Sequence, residues 1–83
     1  MTVTLRYFAA VAEAAGTADE VIELPHGASV GDLKAALASA HGEDFARQLA
    51  ISAVLLDGRR ADDAEAIPQG QARVDVLPPF AGG

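Results

Sequence analysis

The residues of this sequence best placed to do chemistry are the last six, Pro78-Pro79-Phe80-Ala81-Gly82-Gly83. Two prolines stiffen the approach, an aromatic follows, and a Gly-Gly end is the thinnest strand a polypeptide can make, able to adopt φ values barred to other residues. Such an end can thread a narrow channel, with Ala81 and Gly82 passing through and the α-carboxylate of Gly83 arriving first. That carboxylate is ionised at neutral pH, and a nucleotide-activating enzyme could convert it to a mixed anhydride. The competing reading is a frayed tail, since chain ends are often poorly ordered. Glycine fills 8 of the 83 positions, so two final glycines arise by chance roughly one time in a hundred. The signal therefore needs support from upstream.

Other reactive groups are sparse. There is no cysteine, hence no disulfide framework, thiolate metal site or cysteine nucleophile, and any sulfur chemistry must use sulfur from elsewhere. His26 and His41 stand fifteen positions apart, which is not a metal-ligand spacing, and each reads as a loop or helix-end residue. Asp62, Asp63 and Glu65 lack the glycine spacing of a calcium loop and read as a solvated turn rather than an acid/base pair. No serine lies in a recognisable triad pattern. Lys34 is the only lysine and falls on the polar side of a helix, which argues against chains linked through the protein's own lysines. Arg59 and Arg60 follow a tight turn, where they could meet an acidic patch on a partner.

The elements that must hold the tail follow from hydropathy. Val3, Leu5 and Tyr7 alternate with Thr2, Thr4, Arg6 and Phe8, the pattern of a half-buried strand. Phe8, Val11, Ala12 and Ala15 then recur at helical spacing up to Gly16, a C-cap candidate. Glu20 to Leu24 reads as a second strand, with Ile22 and Leu24 on one face and Pro25 ending it. The clearest helix opens at Ser29, with Asp32 completing a capping-box pattern; its expected apolar stripe is Val30, Leu33, Leu37 and Ala40, and Gly42 stops it. Residues 43–50 add a further turn or two of helix through Phe45 and Leu49. Ser52 to Leu56 is a strand, Asp57-Gly58 a hairpin turn, and Arg59-Arg60-Ala61 the return. After a turn at Pro68-Gln69-Gly70-Gln71, Ala72 to Leu77 is a final alternating strand, and the tail leaves directly from it.

That order predicts one α+β domain over residues 1–83, a mixed sheet with the long helix across one face and a protruding tail at 78–83. The uncovered face is left for solvent or a partner. A net charge of −6 and a pI near 4.5 oppose binding to nucleic acid or an anionic membrane and favour a basic partner. No run approaches the roughly 20 apolar residues of a membrane span, and the start Met-Thr-Val-Thr-Leu-Arg lacks the basic and apolar regions of a signal peptide. The expected compartment is the cytoplasm.

The order of elements resembles the ubiquitin-like β-grasp fold. The Asp57-Gly58 turn, the Gly70 turn, the opening Leu5-Arg6-Tyr7-Phe8-Ala9 before an alanine-rich helix, and the closing Val74-Asp75-Val76-Leu77-Pro78-Pro79-Phe80-Ala81-Gly82-Gly83 resemble the small subunit of molybdopterin synthase. Gly-Gly alone is common to ubiquitin-like sulfur carriers; the Pro-Pro before it narrows the resemblance to the molybdopterin branch. One departure is Gly70-Gln71-Ala72, where such proteins often carry Gly-Asp-Glu, and it affects only a turn.

What the resemblance implies is a sulfur-carrier cycle centred on Gly83. An adenylating, E1-like partner using ATP and magnesium would activate the carboxylate, and sulfur from a desulfurase system would displace AMP to leave a thiocarboxylate. The tail would then enter the large synthase subunit and donate sulfur to a cyclic pyranopterin precursor, two charged carriers being consumed per dithiolene. No cofactor is expected on this chain itself, which supplies the reagent while its partners supply the catalytic site. Phe80, with Pro79, Pro78, Leu77, Arg59, Arg60 and outward apolar residues of the sheet, is expected to meet the partner. Two other readings stand beside this one: a β-grasp carrier for another pathway, such as cysteine or thiamine biosynthesis, or a protein modifier joined through Gly83; and an interaction module with an inert tail.

Overall fold

A computed structural model describes residues 1–79 of the chain. The expectations placed on Phe80, Ala81, Gly82 and Gly83 lie outside the described residues.

Strand β1 (Thr2–Tyr7) buries Val3, Leu5 and Tyr7 and turns Thr4 and Arg6 outward, the alternation read from the sequence. Helix α1 (Ala9–Ala15) buries Val11 and ends at Gly16, whose φ of 76° is the left-handed conformation that lets its N–H reach back to Ala12 O and Glu13 O. Strand β2 (Asp19–Glu23) follows, then helix α2 (Val30–His41), helix α3 (Glu43–Ala50), strand β3 (Ala53–Leu56), the two-residue strand β4 (Arg59–Arg60) and strand β5 (Gln71–Leu77). The sheet order is β2-β1-β5-β3-β4. Its one parallel pair is β1 with β5, in register from Thr2 opposite Gln71 to Tyr7 opposite Val76; every other pair is antiparallel. The first and last strands therefore lie side by side in the middle of the sheet.

One core forms where Val3, Leu5, Tyr7, Val54, Leu56, Val74 and Val76 from the sheet meet Val11, Val30, Leu33, Leu37, Phe45 and Leu49 from the helices. The opposite face, carrying Thr4, Arg6, Val21 and Arg73, is exposed.

The capping box at α2 is present in both directions. Ser29 Oγ accepts from Asp32 N at 3.1 Å, and Asp32 Oδ2 accepts from Ser29 N at 2.9 Å. The next two orphan donors of the helix are met by the acidic loop: Val30 N donates to Glu65 O at 2.9 Å and Gly31 N to Asp63 O at 2.8 Å. Gly31 suits this close approach, because a Cβ there would stand 3.2 Å from Asp63 O.

The apolar stripe of α2 departs from the expectation at its end. Val30, Leu33 and Leu37 are buried, but Ala40 is exposed. The stripe continues from Leu37 to His41, four residues on, because the helical period favours that step equally and the His41 ring packs against Tyr7 and Phe45. The hairpin turn places Asp57 at φ 51° and Gly58 at φ 85°, the paired positive values of a type I′ turn. Asp57 also bonds Arg73 of β5 twice, its N donating to Arg73 O at 2.8 Å and its Oδ1 accepting from Arg73 N at 3.0 Å.

Candidate functional site

The position of β5 decides where the tail starts. β1 binds one edge of β5 as far as the pair Tyr7–Val76, with Phe8 N donating to Val76 O at 3.2 Å. β3 binds the other edge as far as the pair Ala53–Leu77. Pro78 and Pro79 thus leave from between two neighbours at the centre of the sheet, and proline's fixed φ stiffens the departure. A tail leaving a central strand is carried by the most constrained part of the fold, so its root is positioned independently of any loop.

Beside that root lies a groove of about 270 Å³. Ala53, Leu55 and Leu77 form its floor on the open sheet face, Ile51 and Ser52 one rim, Pro78 and Pro79 a wall, and Arg60 an end. Ile51 is 59% exposed, unusual for a large aliphatic side chain. Ala53 and Leu55 are outward apolar residues of the sheet, and the sequence carries a signal for them. In Ala53-Val54-Leu55-Leu56 both faces are apolar, whereas in β1 the outward positions are Thr and Arg.

Arg59 and Arg60, expected together at a partner surface, are separated by the strand alternation. Arg60 pairs with Leu55 and takes the open face; Arg59 pairs with Leu56 and takes the other. Arg59 is held by Glu65, Nη1 donating to Oε1 at 3.1 Å with Nη2 on the second oxygen. The hydrogen bond and charge of Glu65 raise the Arg59 guanidinium's pKa, and the hydrogen bond from Arg59 lowers that of the Glu65 carboxyl. Arg60 has no ion pair among the described residues.

Asp63 pairs with Lys34 at 2.6 Å, so two of the three loop carboxylates have a cation and none faces another as an acid/base pair. His26 is exposed in a turn. His41 lies in the last turn of α2, its ring centroid 4.6 Å from that of Phe45 and its Nε2 2.6 Å from Glu20 Oε2. Burial pushes the Tyr7 hydroxyl well above the usual phenol range, with the negative charge of the nearby Glu20 carboxylate adding to it; Glu20 stands close but outside hydrogen-bond geometry, and no other group among the described residues bonds that hydroxyl. Among the described residues no cluster of three metal-ligating side chains occurs, and no helix is long and apolar enough to cross a membrane.

A mixed five-stranded sheet with parallel first and last strands, helices on one face and the chain leaving the central strand defines a ubiquitin-like β-grasp protein. The family model described as the ThiS family matches residues 5–83, and the chain belongs to that family. Among solved structures it is similar to a putative molybdopterin converting factor subunit 1 from Pyrococcus furiosus, at 31% identity and a TM-score of 0.86 over 96% of this chain and 99% of that one. It is also similar to SAMP1 from Haloferax volcanii, at 28% identity and a TM-score of 0.80 with both chains covered fully. A complex of subunits 1 and 2 of the molybdopterin-converting factor from Helicobacter pylori shares the fold at 23% identity and a TM-score of 0.70. No curated protein matches the sequence.

Proposed function

We propose that this chain is a sulfur carrier, the small subunit of a molybdopterin synthase, and that it works through a thiocarboxylate on Gly83. The observation that carries the proposal is the family match running to residue 83 on a chain whose tail is rooted at the centre of the sheet. The name of the Pyrococcus furiosus relative, similar over nearly both full lengths, points to the molybdopterin branch.

The chemistry follows from the carboxylate. A carboxylate is a poor acylating agent because oxide is a poor leaving group. An adenylating partner lets a Gly83 oxygen attack the α-phosphorus of ATP, with pyrophosphate leaving and magnesium held by that partner. The acyl adenylate then has AMP as its leaving group, and a sulfur nucleophile forms a C–S bond as the C–O bond to AMP breaks. Sulfur travels covalently to the large subunit, where the precursor receives it. This chain contributes a reagent, a rigid root and a docking face, and the partners contribute the reaction sites.

A second reading is favoured by the similarity to SAMP1 of Haloferax volcanii: the same activated carboxylate passed to an amine on another protein. The recipient separates the two. The chain, incubated with its adenylating enzyme, ATP, magnesium and a sulfur source, and then with the large synthase subunit of the same organism and the cyclic precursor, should yield the dithiolene product. Isopeptide-linked conjugates without product would favour the modifier reading instead.

A further inference from the structure

The groove beside the tail root holds one charge, and its sign is opposite to that of the whole chain. Net charge is −6, so an acidic group on a partner is repelled over most of this surface. Arg6 and Arg60 are the arginines without an ion pair among the described residues, and of the two only Arg60 lines the groove. It lies on the open face at the end of a floor made by Leu55 and Leu77, and no carboxylate in the described residues is bonded to its side chain. Its neighbour Arg59 is occupied by Glu65 on the other side of the sheet.

We propose that Arg60 and this apolar floor recognise a carboxylate-bearing apolar segment of the partner subunit, an Asp or Glu pairing with the guanidinium while an adjacent apolar side chain fills the groove. The inference rests on the carrier reading above and names the chemistry its partner must present. Two arguments select this occupant. The guanidinium fork matches a carboxylate bidentately, and a segment that fills the groove would cover the pair and strengthen it. Arg60 is the one charged residue lining the groove, so within it an acid has a single place to pair, and the pair fixes docking register as well as adding affinity. Register matters here because the groove wall is Pro78-Pro79, the root of the tail; seating the segment aims the tail.

The test measures calorimetric affinity of the full-length chain for the purified large subunit of the same organism. The variants are Arg60→Gln, Arg60→Glu and, as a charge-matched control on α3, Arg47→Gln. Arg60→Gln should weaken binding about tenfold and Arg60→Glu about a hundredfold, while Arg47→Gln changes it less than about twofold. The Arg60 effect should shrink at high salt, and all variants should keep the wild-type melting curve. Wild-type binding with Arg60→Glu within about threefold of it overturns the inference and leaves the carrier reading intact. Tighter binding by Arg60→Glu also overturns it, because the partner would then present a cation rather than a carboxylate at that position. A change in self-association of the chain alone, with unchanged affinity for the large subunit, would overturn it in favour of a second copy. If wild type does not bind the large subunit, the synthase reading fails and this inference falls with it.

Discussion

Removing the Ser29 hydroxyl tests whether the cap of α2 and the acidic loop act as separate supports. In Ser29→Ala the Asp32 N–H loses its 3.1 Å acceptor, while Val30 N and Gly31 N keep the loop carbonyls and Ser29 N keeps Asp32 Oδ2. One of four supports is lost, at a cap that is not fully buried, which sets the cost at about 1 kcal/mol rather than the 2 kcal/mol upper end for such caps. For a domain of this size that lowers Tm by roughly 4–8 °C. Asp32→Ala removes the reciprocal bond and the negative charge at the helix N-terminus, for a similar loss. Because both bonds close the same turn, the double variant should cost less than the sum of the single ones. Thermal melts and urea titrations of the four proteins measure this. A Tm for Ser29→Ala within about 1 °C of wild type would show that the loop carbonyls alone hold the helix start, and strict additivity would refute the reciprocal box.

Phe80→Ala should weaken binding to the large subunit by about 2 kcal/mol without lowering Tm; a lost Tm with unchanged affinity would place Phe80 in the fold instead. Gly82→Ala, which adds one methyl and restricts φ, should slow adenylation and sulfur transfer with little change in stability, read as separate initial rates. Tyr7→Phe should be neutral or slightly stabilising at pH 7, because the hydroxyl it removes is buried without a partner. The same hydroxyl is held protonated in the fold, so the unfolded chain ionises first as pH rises above about 10. Its contribution is fully present below that pH and is lost above it, and the alkaline fall in Tm should be shallower in Tyr7→Phe.

Much of the fold was legible because its elements carry strong local signals. The Thr2–Tyr7 alternation, the Ser29/Asp32 cap and the Asp57-Gly58 turn each depend on near neighbours, and each stands as read. What escaped depends on distant neighbours. His41 is the helix-end residue that the sequence suggests, but nothing local says that Tyr7, Phe45 and Glu20 converge on it. Ala40 looked like core because a 3-residue and a 4-residue step are equally helical, and only the partner surface chooses between them. Arg59 and Arg60 looked alike until β4 turned them to opposite faces, and the acidic loop looked merely solvated because nothing local says that its Asp63 and Glu65 carbonyls dock on the start of α2 and its Asp63 carboxylate on Lys34. The groove was half legible: Leu77 and the prolines were named from the tail outward, whereas Ile51 and Leu55 join them only through the β3–β5 pairing.

The claim on which the account depends is that the Gly83 carboxylate becomes a thiocarboxylate. The direct measurement is the intact mass of the full chain, and of a chain lacking Gly83, after incubation with the adenylating enzyme of the same organism, ATP, magnesium and a sulfur source. The account predicts that the full chain gains the mass difference of one sulfur replacing one oxygen, that the gain requires ATP, and that the shortened chain, folded as judged by its melt, gains nothing. An unchanged mass for the full chain, or equal charging of the chain without Gly83, would contradict it.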